Sequence, residues 1–480
     1  MRRLLKDTAI YGAGDLLFRF VSFAVFPIYA NVFSVEQYGV MALISTTAGL
    51  ISILLSLGMN NAIQRYYWDP DMPEEQRPVL VTTGFAILVL WSFLVTALLL
   101  FSLYPFRDTF DQRYDIEWLF LALALAANLP SLIVSYCLDV LRLHFSPWWF
   151  SALAALRSLS AVALSLILVV ALKQGLLGVF VGQALAFTLA MPLGLWLIRK
   201  ELTWRFDLRL AREIVLFGYP FIFVGLAYWV FTSMDRWMLG ELSDITNVGL
   251  YSIAYSFASI LTFVTAAFAQ AWSPFAIKLY AEDPDYRDKI GRLFSYWFFA
   301  LALIGLVISL FAYEVLRVTT PESYWSAATT LSVLAMGLVL LGTTQFTALG
   351  ISLEKKSNLL SVAAWIAAIV NFLLNLVLIP IWGALGSGAA TFAAYAILTG
   401  LYLYWAQKLH SLPLETKKLL FSLLIVVSTP FLSALLYSFK WDVWITGIKV
   451  LILGLVLLFG FAVRIVKLSD IKRLSLRGIP

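Results

Sequence analysis

Long apolar runs separated by short polar segments occupy most of the chain. The charge-free run from Ile214 to Met234 has about twenty residues, which is enough for one helix to cross a bilayer. Runs of this kind predict an all-α membrane protein with about 14 transmembrane helices. The expected limits are 9–33, 41–64, 79–104, 116–138, 148–172, 176–198, 213–238, 247–277, 293–316, 327–353, 359–380, 384–407, 419–438 and 444–463.

Two glycine landmarks recur at nearly one offset. Gly39 and Gly249 are 210 residues apart, and Gly178 and Gly386 are 208 apart. The offset covers six predicted helices, an even number, so both copies have the same orientation in the membrane. The repeat predicts two six-helix lobes related by a pseudo-two-fold axis along the membrane normal, with a central cavity between them. The expected domains are an N-terminal lobe, a C-terminal lobe and two additional helices with a basic tail, at residues 1–212, 213–410 and 411–480.

One charge-free tract, Ser357 to Gln407, is long enough for two of these helices. Pro380 and Gly383 lie near its middle. Proline and glycine together interrupt helices, so this part of the tract is predicted to be a hinge. Elsewhere, small residues four apart, such as Gly178 and Gly182, are typical of helices that approach closely in lipid.

Composition and charge place the chain in a membrane and orient it. The sequence is 61% hydrophobic and only 13% charged, which excludes an ordinary soluble domain. Loops on the N-terminal side hold 25 of the 34 Lys and Arg residues, and those on the other side hold 6. The positive-inside rule then predicts that both termini are cytoplasmic. We expect a multi-pass protein of a bacterial or archaeal cytoplasmic (inner) membrane, with its first apolar segment retained as a span.

The sequence lacks several motifs that are common in enzymes. No Gly-Lys dipeptide occurs, so a phosphate-binding loop of the G-x-x-x-x-G-K type is excluded. The single cysteine, Cys137, excludes a disulfide framework and a cysteine-rich metal site. The two histidines, His144 and His410, lie near cytoplasmic loops without an HExxH motif. These observations predict a protein that is not an enzyme and uses neither metal nor cofactor.

The charges inside predicted spans are the candidate functional residues. At about 1.5 Å per residue, Asp15 lies about 10 Å deep, Arg19 about 15 Å and Arg157 about 14 Å. Ionisable groups at such depth are costly and usually face a cavity or a partner. One interpretation is a structural Asp15–Arg19 pair with Arg157 bound to carbonyls. The other is a cationic cavity for an anionic substrate, with both arginines supplied by the first lobe.

Further charged residues lie at the ends of the spans. Arg65 and Lys278 end the second span and its repeat partner, where they could bind a phosphate headgroup or only anchor the helix. Asp235 and Arg236 lie near the outer end of the seventh span, as a local ion pair or as substrate contacts. Lys449 is expected to extend towards the membrane surface.

Taken in order, several short segments match one known group of transporters. They are 33–39 (FSVEQYG), Gly58, 64–66, 217–220, Asp235-Arg236, 248–251, Asn371, Asn375, Pro380, Gly383 and Gly386. With this order and spacing the chain resembles the polysaccharide flippases of the multidrug/oligosaccharidyl-lipid/polysaccharide exporter superfamily. Its fourteen spans also resemble the lipid II flippases of that superfamily, which carry Arg and Asp on their first helix.

The resemblance implies a flippase that moves polyprenyl-diphosphate-linked oligosaccharide by alternating access. Arg19, Arg157, Arg65 and Lys278 are then the candidate substrate-binding residues. Asp15, together with Asp235 and Arg236, is a candidate for coupling or for ion pairing. The expected partners are the lipid-linked oligosaccharide, the bilayer and other glycan-assembly membrane proteins, with no nucleic acid.

Two other function classes stay open at this point. A drug or cation antiporter of the same fold would require acidic groups in the cavity, whereas here arginines predominate inside the spans. A membrane glycan polymerase or ligase usually has a large outer loop, whereas the longest one here, Pro105 to Asp115, is short.

Overall fold

The structure, a computed structural model, describes residues 21, 23–354, 356–438 and 443–462. Within these residues every regular element is a helix. In this part of the chain, eleven helical segments are long and apolar enough to cross a membrane, and there are two shorter apolar helices, Phe23–Val32 and Trp444–Gly460. The predicted all-α, multi-pass membrane fold is therefore confirmed, while the count of fourteen spans stays a prediction. Asp15 and Arg19 lie outside the described residues.

The chain forms two compact units, Met1–Gly240 and Glu241–Pro480. The first unit contains α1 (Phe23–Val32), α2 (Val35–Ser56), α3 (Met59–Tyr67), α4 (Arg77–Leu103), α5 (Arg107–Tyr114), α6 (Trp118–Leu143), α7 (Pro147–Leu166), α8 (Gly175–Ile198), α9 (Leu208–Gly218) and most of α10 (Pro220–Leu242). The unit boundary falls near the end of α10, whereas the repeat assigns this helix to the second copy. The lobe limits taken from the repeat stay a prediction.

The second unit is built from a similar series of helices. It contains α11 (Ile245–Ala258), α12 (Ile260–Glu282), α13 (Tyr286–Leu310), α14 (Ala312–Thr319), α15 (Ala327–Gly342), α16 (Thr344–Thr347), α17 (Leu349–Leu353), α18 (Ser357–Leu409), α19 (Thr416–Ser438) and α20 (Val443–Ala462). Helices α15 and α18 pack along each other, and α13 packs against α19. The C-terminal pair α19 and α20 thus belongs to this unit.

Helix α2 begins at a reciprocal cap. The Ser34 hydroxyl accepts a hydrogen bond from the backbone N–H of Gln37 at 3.2 Å, and the Gln37 side chain accepts one from the backbone N–H of Ser34 at 3.2 Å. This capping box satisfies two of the donors that a helix leaves free at its start. The segment 33–39 therefore places the turn between α1 and α2.

The predicted second span, 41–64, is wrong as a single helix. The chain leaves α2 at Leu57 and Gly58, whose φ values of 48° and 66° are left-handed, and then starts α3. A Cβ atom added at Gly58 would lie only 2.1 Å from the carbonyl oxygen of Gly218. Glycine is thus required twice here, for the backbone conformation and for the close approach of α9.

The predicted hinge in the long charge-free tract is confirmed. Within α18, Gly383 alone has a non-helical conformation, with φ 54° and ψ −128°. The next backbone N–H, of Ala384, donates to the Asn247 side-chain oxygen at 2.9 Å. Asn247 also donates to Ser243 at 3.0 Å, so the first turn of α11 holds the hinge of α18 in place.

Two further predicted spans are also interrupted. The eighth, 247–277, is divided at Ser259 into α11 and α12. The tenth, 327–353, is broken into α15, α16 and α17. At that break the hydroxyls of Thr343 and Thr344 donate to the carbonyls of Leu340 and Leu341, at 2.7 and 2.6 Å. Such bonds back to the preceding turn satisfy carbonyls that water cannot reach.

Candidate functional site

Arg157 is held by neutral side chains within the first unit. It lies on α7 and donates to the hydroxyls of Ser135 and Ser131 on α6, at 2.8 and 3.0 Å. Its guanidinium carbon is 5.2 Å from the centroid of the Phe187 ring on α8. Among the described residues no carboxylate forms an ion pair with it. The hydroxyls orient the guanidinium, and no acid of the described residues offsets its positive charge, which is the state that an anion-binding residue requires.

The two predicted mouth residues are each paired with an acid one turn later. Arg65 Nη1 lies 2.5 Å from Asp69 Oδ2, and Lys278 Nζ lies 3.7 Å from Glu282 Oε2. Hydrogen bonds from the Asp71 backbone and from Arg65 lower the pKa of the Asp69 carboxyl below its ordinary value. The Arg65 and Lys278 side chains are more than half exposed, at 57% and 62%. A phosphate at either cation must therefore displace or share a carboxylate.

Four candidate residues remain, and the structure describes two of them, Asp235 and Arg236. Asp235 is 2% exposed on α10, and its neighbour Arg236 is partly buried. This burial is compatible with both interpretations of that pair. Asp15 and Arg19 lie outside the described residues, so their roles stay predictions.

A polar cluster around His144, at one end of the first unit, did not follow from the sequence reasoning. His144, which ends α6, has its Nε2 atom 3.2 Å from Glu201 Oε1 and 3.3 Å from the Tyr67 hydroxyl. Glu201 follows α8, and Tyr67 ends α3. Burial, followed by the negative charge of Glu201, raises the pKa of Tyr67 to about 12, so its hydroxyl stays neutral. The cluster joins the ends of three helices.

The second unit contains a cluster of the same composition. His410, at the end of α18, has Nδ1 3.0 Å from Glu354 Oε1 and Nε2 2.9 Å from the Tyr286 hydroxyl. Glu354 follows α17, and Tyr286 begins α13. Glu354 lies 210 residues after His144, and His410 lies 209 residues after Glu201. The offset of the predicted repeat could have revealed this correspondence. Each copy has one histidine and one glutamate at the same two positions, but the copies hold them in opposite order.

Lys449 is buried, and the expectation that it extends to the membrane surface is wrong. Its side chain on α20 is 4% exposed, and Nζ lies 2.5 Å from Glu314 Oε1 on α14. Glu314 is 135 residues away in sequence, at the end of a different predicted span. A carboxylate within reach removes the need for the ammonium group to leave the apolar region. This pair attaches α20 to the rest of the second unit.

Comparison with known sequences assigns the family. Residues 4–280 match the family described as polysaccharide biosynthesis protein, which is more than half of the chain. The chain belongs to the polysaccharide biosynthesis protein family. This confirms the resemblance drawn from segments such as 33–39 and 217–220, which lie inside the matched region.

Two curated relatives match over the same extent of chain. The Lsg locus putative protein 1 of Haemophilus influenzae is 23% identical over 283 residues, 57% of this chain and 66% of the relative. An uncharacterized membrane protein of Methanocaldococcus jannaschii is 20% identical over 280 residues, 56% of this chain and 54% of the relative. The chain thus spans less than two thirds of the length of either relative.

Solved structures extend the similarity of fold to the whole chain. The lipid II flippase MurJ in an inward closed conformation is similar with a TM-score of 0.74, over 97% of this chain and 99% of that one, at 14% identity. An inward-facing multidrug resistance MATE family transporter of the MOP superfamily gives a TM-score of 0.62, over 84% and 94%, at 13% identity. The fold of this family member is therefore one shared by a flippase and a multidrug transporter.

Proposed function

We propose that this protein is a flippase that moves polyprenyl-diphosphate-linked oligosaccharide across the cytoplasmic membrane by alternating access. The cargo would be the repeat unit of an O-antigen, a capsule or an exopolysaccharide. Membership of the polysaccharide biosynthesis protein family and the fold shared with a lipid II flippase support this class of cargo.

The observation that carries the proposal is the state of Arg157. A guanidinium inside an apolar span is costly, and a purely structural one would ordinarily be paired with a carboxylate. Ser131 and Ser135 instead hold it by neutral hydroxyls. A diphosphate would supply the counter-charge that the described residues do not, and the planar guanidinium fork fits phosphate oxygens.

A drug or cation antiporter is the second candidate. Asp235, buried on α10, is the described carboxylate that favours it, together with the MATE-like fold. An antiporter that exports organic cations needs an acid able to exchange its cargo for a proton or sodium ion. The two candidates therefore assign opposite charges to the substrate.

A deletion strain separates these functions. Loss of the flippase should cause lipid-linked oligosaccharide to accumulate inside the cell and surface glycan to disappear, without change in resistance to cationic drugs. Re-expression of the chain should reverse both glycan effects. Normal glycan display combined with increased sensitivity to cationic drugs would instead support the antiporter. A membrane glycan polymerase would leave single repeat units on the outer face rather than inside.

A further inference from the structure

A basic cavity of about 390 Å³ lies at one end of the first unit, beside α6, α7 and α8. Arg199 and Lys200, which follow α8 directly, supply two positive charges to its wall. Both side chains are exposed, and among the described residues neither forms an ion pair with a carboxylate. Among the described residues of the wall, Glu201 is the only carboxylate; its Oε1 lies 3.2 Å from His144 Nε2, whereas its Oε2 is buried without a hydrogen-bond partner.

Two tryptophans form the apolar part of the same wall. The rings of Trp149 and Trp196 lie 6.4 Å apart in an edge-to-face arrangement, and about half of each residue is exposed. Arg199 stacks on Trp196 with its guanidinium carbon 4.3 Å from the ring centroid, and it donates to the Trp196 carbonyl at 3.0 Å. Stacking fixes the plane of the guanidinium and leaves other N–H groups available to a ligand.

The position of the cavity indicates how a ligand reaches it. It lies where three apolar segments end, Trp118–Leu143, Pro147–Ala171 and Gly175–Ile198. Exposed tryptophans at helix ends are typical of the depth at which lipid headgroups lie. Adjacent Lys and Arg residues at that depth attract anionic headgroups. A ligand with a phosphate in the cavity and acyl chains along the helices would contact both the basic and the apolar residues of the wall.

We propose that this cavity is a binding site for the phosphate of an anionic phospholipid from the surrounding leaflet. Arg199 offers a planar fork of donors, Lys200 a point charge, and the two tryptophans pack against the glycerol and upper acyl chains. The acid of the described wall that repels the phosphate, Glu201, is bound to His144 through Oε1 and is only 17% exposed, and the two exposed cations outnumber it. This site is separate from Arg157 and does not depend on the proposed cargo.

The test uses the full chain in vesicles of phosphatidylcholine with and without phosphatidylglycerol, and compares the melting temperatures. The double variant R199Q/K200Q should lose about half or more of the stabilisation by phosphatidylglycerol. The matched control R205Q/R212Q removes the same charge from the same segment of the unit but from outside the cavity wall. It should retain that stabilisation. The readout is a difference between two lipids, so a lower baseline stability of either variant cancels.

A third variant tests the sign of the electrostatics. Glu201→Gln removes the acid that the described residues place in the wall and should increase the stabilisation by phosphatidylglycerol, even if the baseline melting temperature falls. Equal losses in R199Q/K200Q and R205Q/R212Q would mean a general surface-charge effect and would overturn the site. Full stabilisation by inorganic phosphate alone would overturn the lipid source, and a melting temperature independent of phosphatidylglycerol would overturn both.

Discussion

His144 in the first unit and Glu354 in the second are 210 residues apart, which is the offset of the predicted repeat. His144 pairs with a glutamate, Glu201, whereas Glu354 pairs with a histidine, His410. Glu201 and His410 complete the two pairs, 209 residues apart. Both pairs join the end of one helix to the end of another within their own unit. The exchange of partners indicates that the contact itself, rather than a histidine at one position, is what each unit uses.

The first prediction is that His144 and Glu201 can exchange places within the first unit. Glu201→Gln or His144→Gln alone should lower the free energy of unfolding by about 1–2 kcal/mol, since a hydrogen bond to a charged group is lost. The double variant H144E/E201H recreates the order of the second unit and should recover most of that loss. Thermal unfolding in detergent micelles measures all three.

The control for this set of variants is an ion pair that is exposed to solvent. Arg209 and Glu213 lie 3.3 Å apart with side chains 89% and 42% exposed. Glu213→Gln should cost about 0.5 kcal/mol or less. A double variant H144E/E201H as unstable as the sum of its single variants would contradict the equivalence of the two positions.

The second prediction concerns the paired cations Arg65 and Lys278. Asp69→Asn and Glu282→Gln release these cations, and each should strengthen binding of a polyprenyl diphosphate to the reconstituted protein by about threefold to tenfold. The pKa of Asp69 lies below its ordinary value of about 4, so the wild type keeps its ion pair at every cellular pH. Its effect is present above that pKa and is lost as the pH falls through it. Variant and wild type should therefore converge only in strong acid.

Arg107 supplies the comparison for this prediction. It pairs with Asp108 at 3.4 Å in the predicted outer loop, and its side chain is 45% exposed. Asp108→Asn releases this cation far along the chain from both mouth residues and should leave diphosphate binding unchanged. If Asp69→Asn and Glu282→Gln have no more effect on binding than Asp108→Asn, Arg65 and Lys278 are helix anchors and not substrate-binding residues.

The third prediction tests the break after α2. Gly58→Ala places a methyl group in a left-handed backbone position and against the Gly218 carbonyl, and should cost about 3 kcal/mol or more. Gly49→Ala in α2 meets no atom within 4 Å and should be neutral or stabilising by up to about 1 kcal/mol. The yield of monodisperse protein after extraction distinguishes them. Equal yields would mean that α3 can follow α2 without this approach of α9.

These residues show which features a sequence of this kind discloses. The hinge at Gly383 was predictable because proline and glycine interrupt an otherwise uniform apolar tract. The break at Gly58 was not, since a lone glycine is tolerated inside a helix and its reason is the Gly218 backbone 160 residues away. Arg157 was identified from its depth alone, but the neutral character of its partners depends on how α6 packs against α7.

The same limit explains the error at Lys449. A lone lysine in an apolar run is predicted to extend to the surface, unless a carboxylate from a distant segment reaches it. Glu314 lies in a short helix that the hydropathy pattern merges with the preceding span, so its position was not foreseen. Long-range pairs are the part of the site that periodicity does not encode.

The fourth prediction follows from that pair. Lys449→Met should lower the free energy of unfolding by about 3–5 kcal/mol, because it leaves the Glu314 charge buried without a partner. The double variant Lys449→Met/Glu314→Gln should recover much of the loss. Lys289→Met, at an ion pair with Asp283 that is 43% and 25% exposed, should cost about 1 kcal/mol or less. Equal effects of Lys449→Met and Lys289→Met would mean that α20 is not anchored through this contact.

The last prediction concerns the charge of Arg157. Arg157→Gln keeps a side chain able to bond to Ser131 and Ser135 but removes the positive charge, whereas Arg157→Lys keeps the charge and loses the planar fork. A charged hydrogen bond to phosphate is worth about 1.5–3 kcal/mol, so Arg157→Gln should weaken diphosphate binding about tenfold or more. Arg157→Lys should retain part of the binding, and translocation in vesicles should follow the same order.

A structural role for Arg157 predicts a different ranking. The double variant Ser131→Ala/Ser135→Ala removes its hydroxyl partners and leaves the charge in place. If Arg157 serves only to hold α7 to α6, this variant should lose folded protein, Arg157→Gln should lose less because its amide can still bond to the two hydroxyls, and any protein that folds should bind the diphosphate normally. If the charge binds substrate, Arg157→Gln should remain folded and fail to bind, while Ser131→Ala/Ser135→Ala retains binding. Size-exclusion yield and diphosphate binding, measured on the same preparations, decide between the two roles.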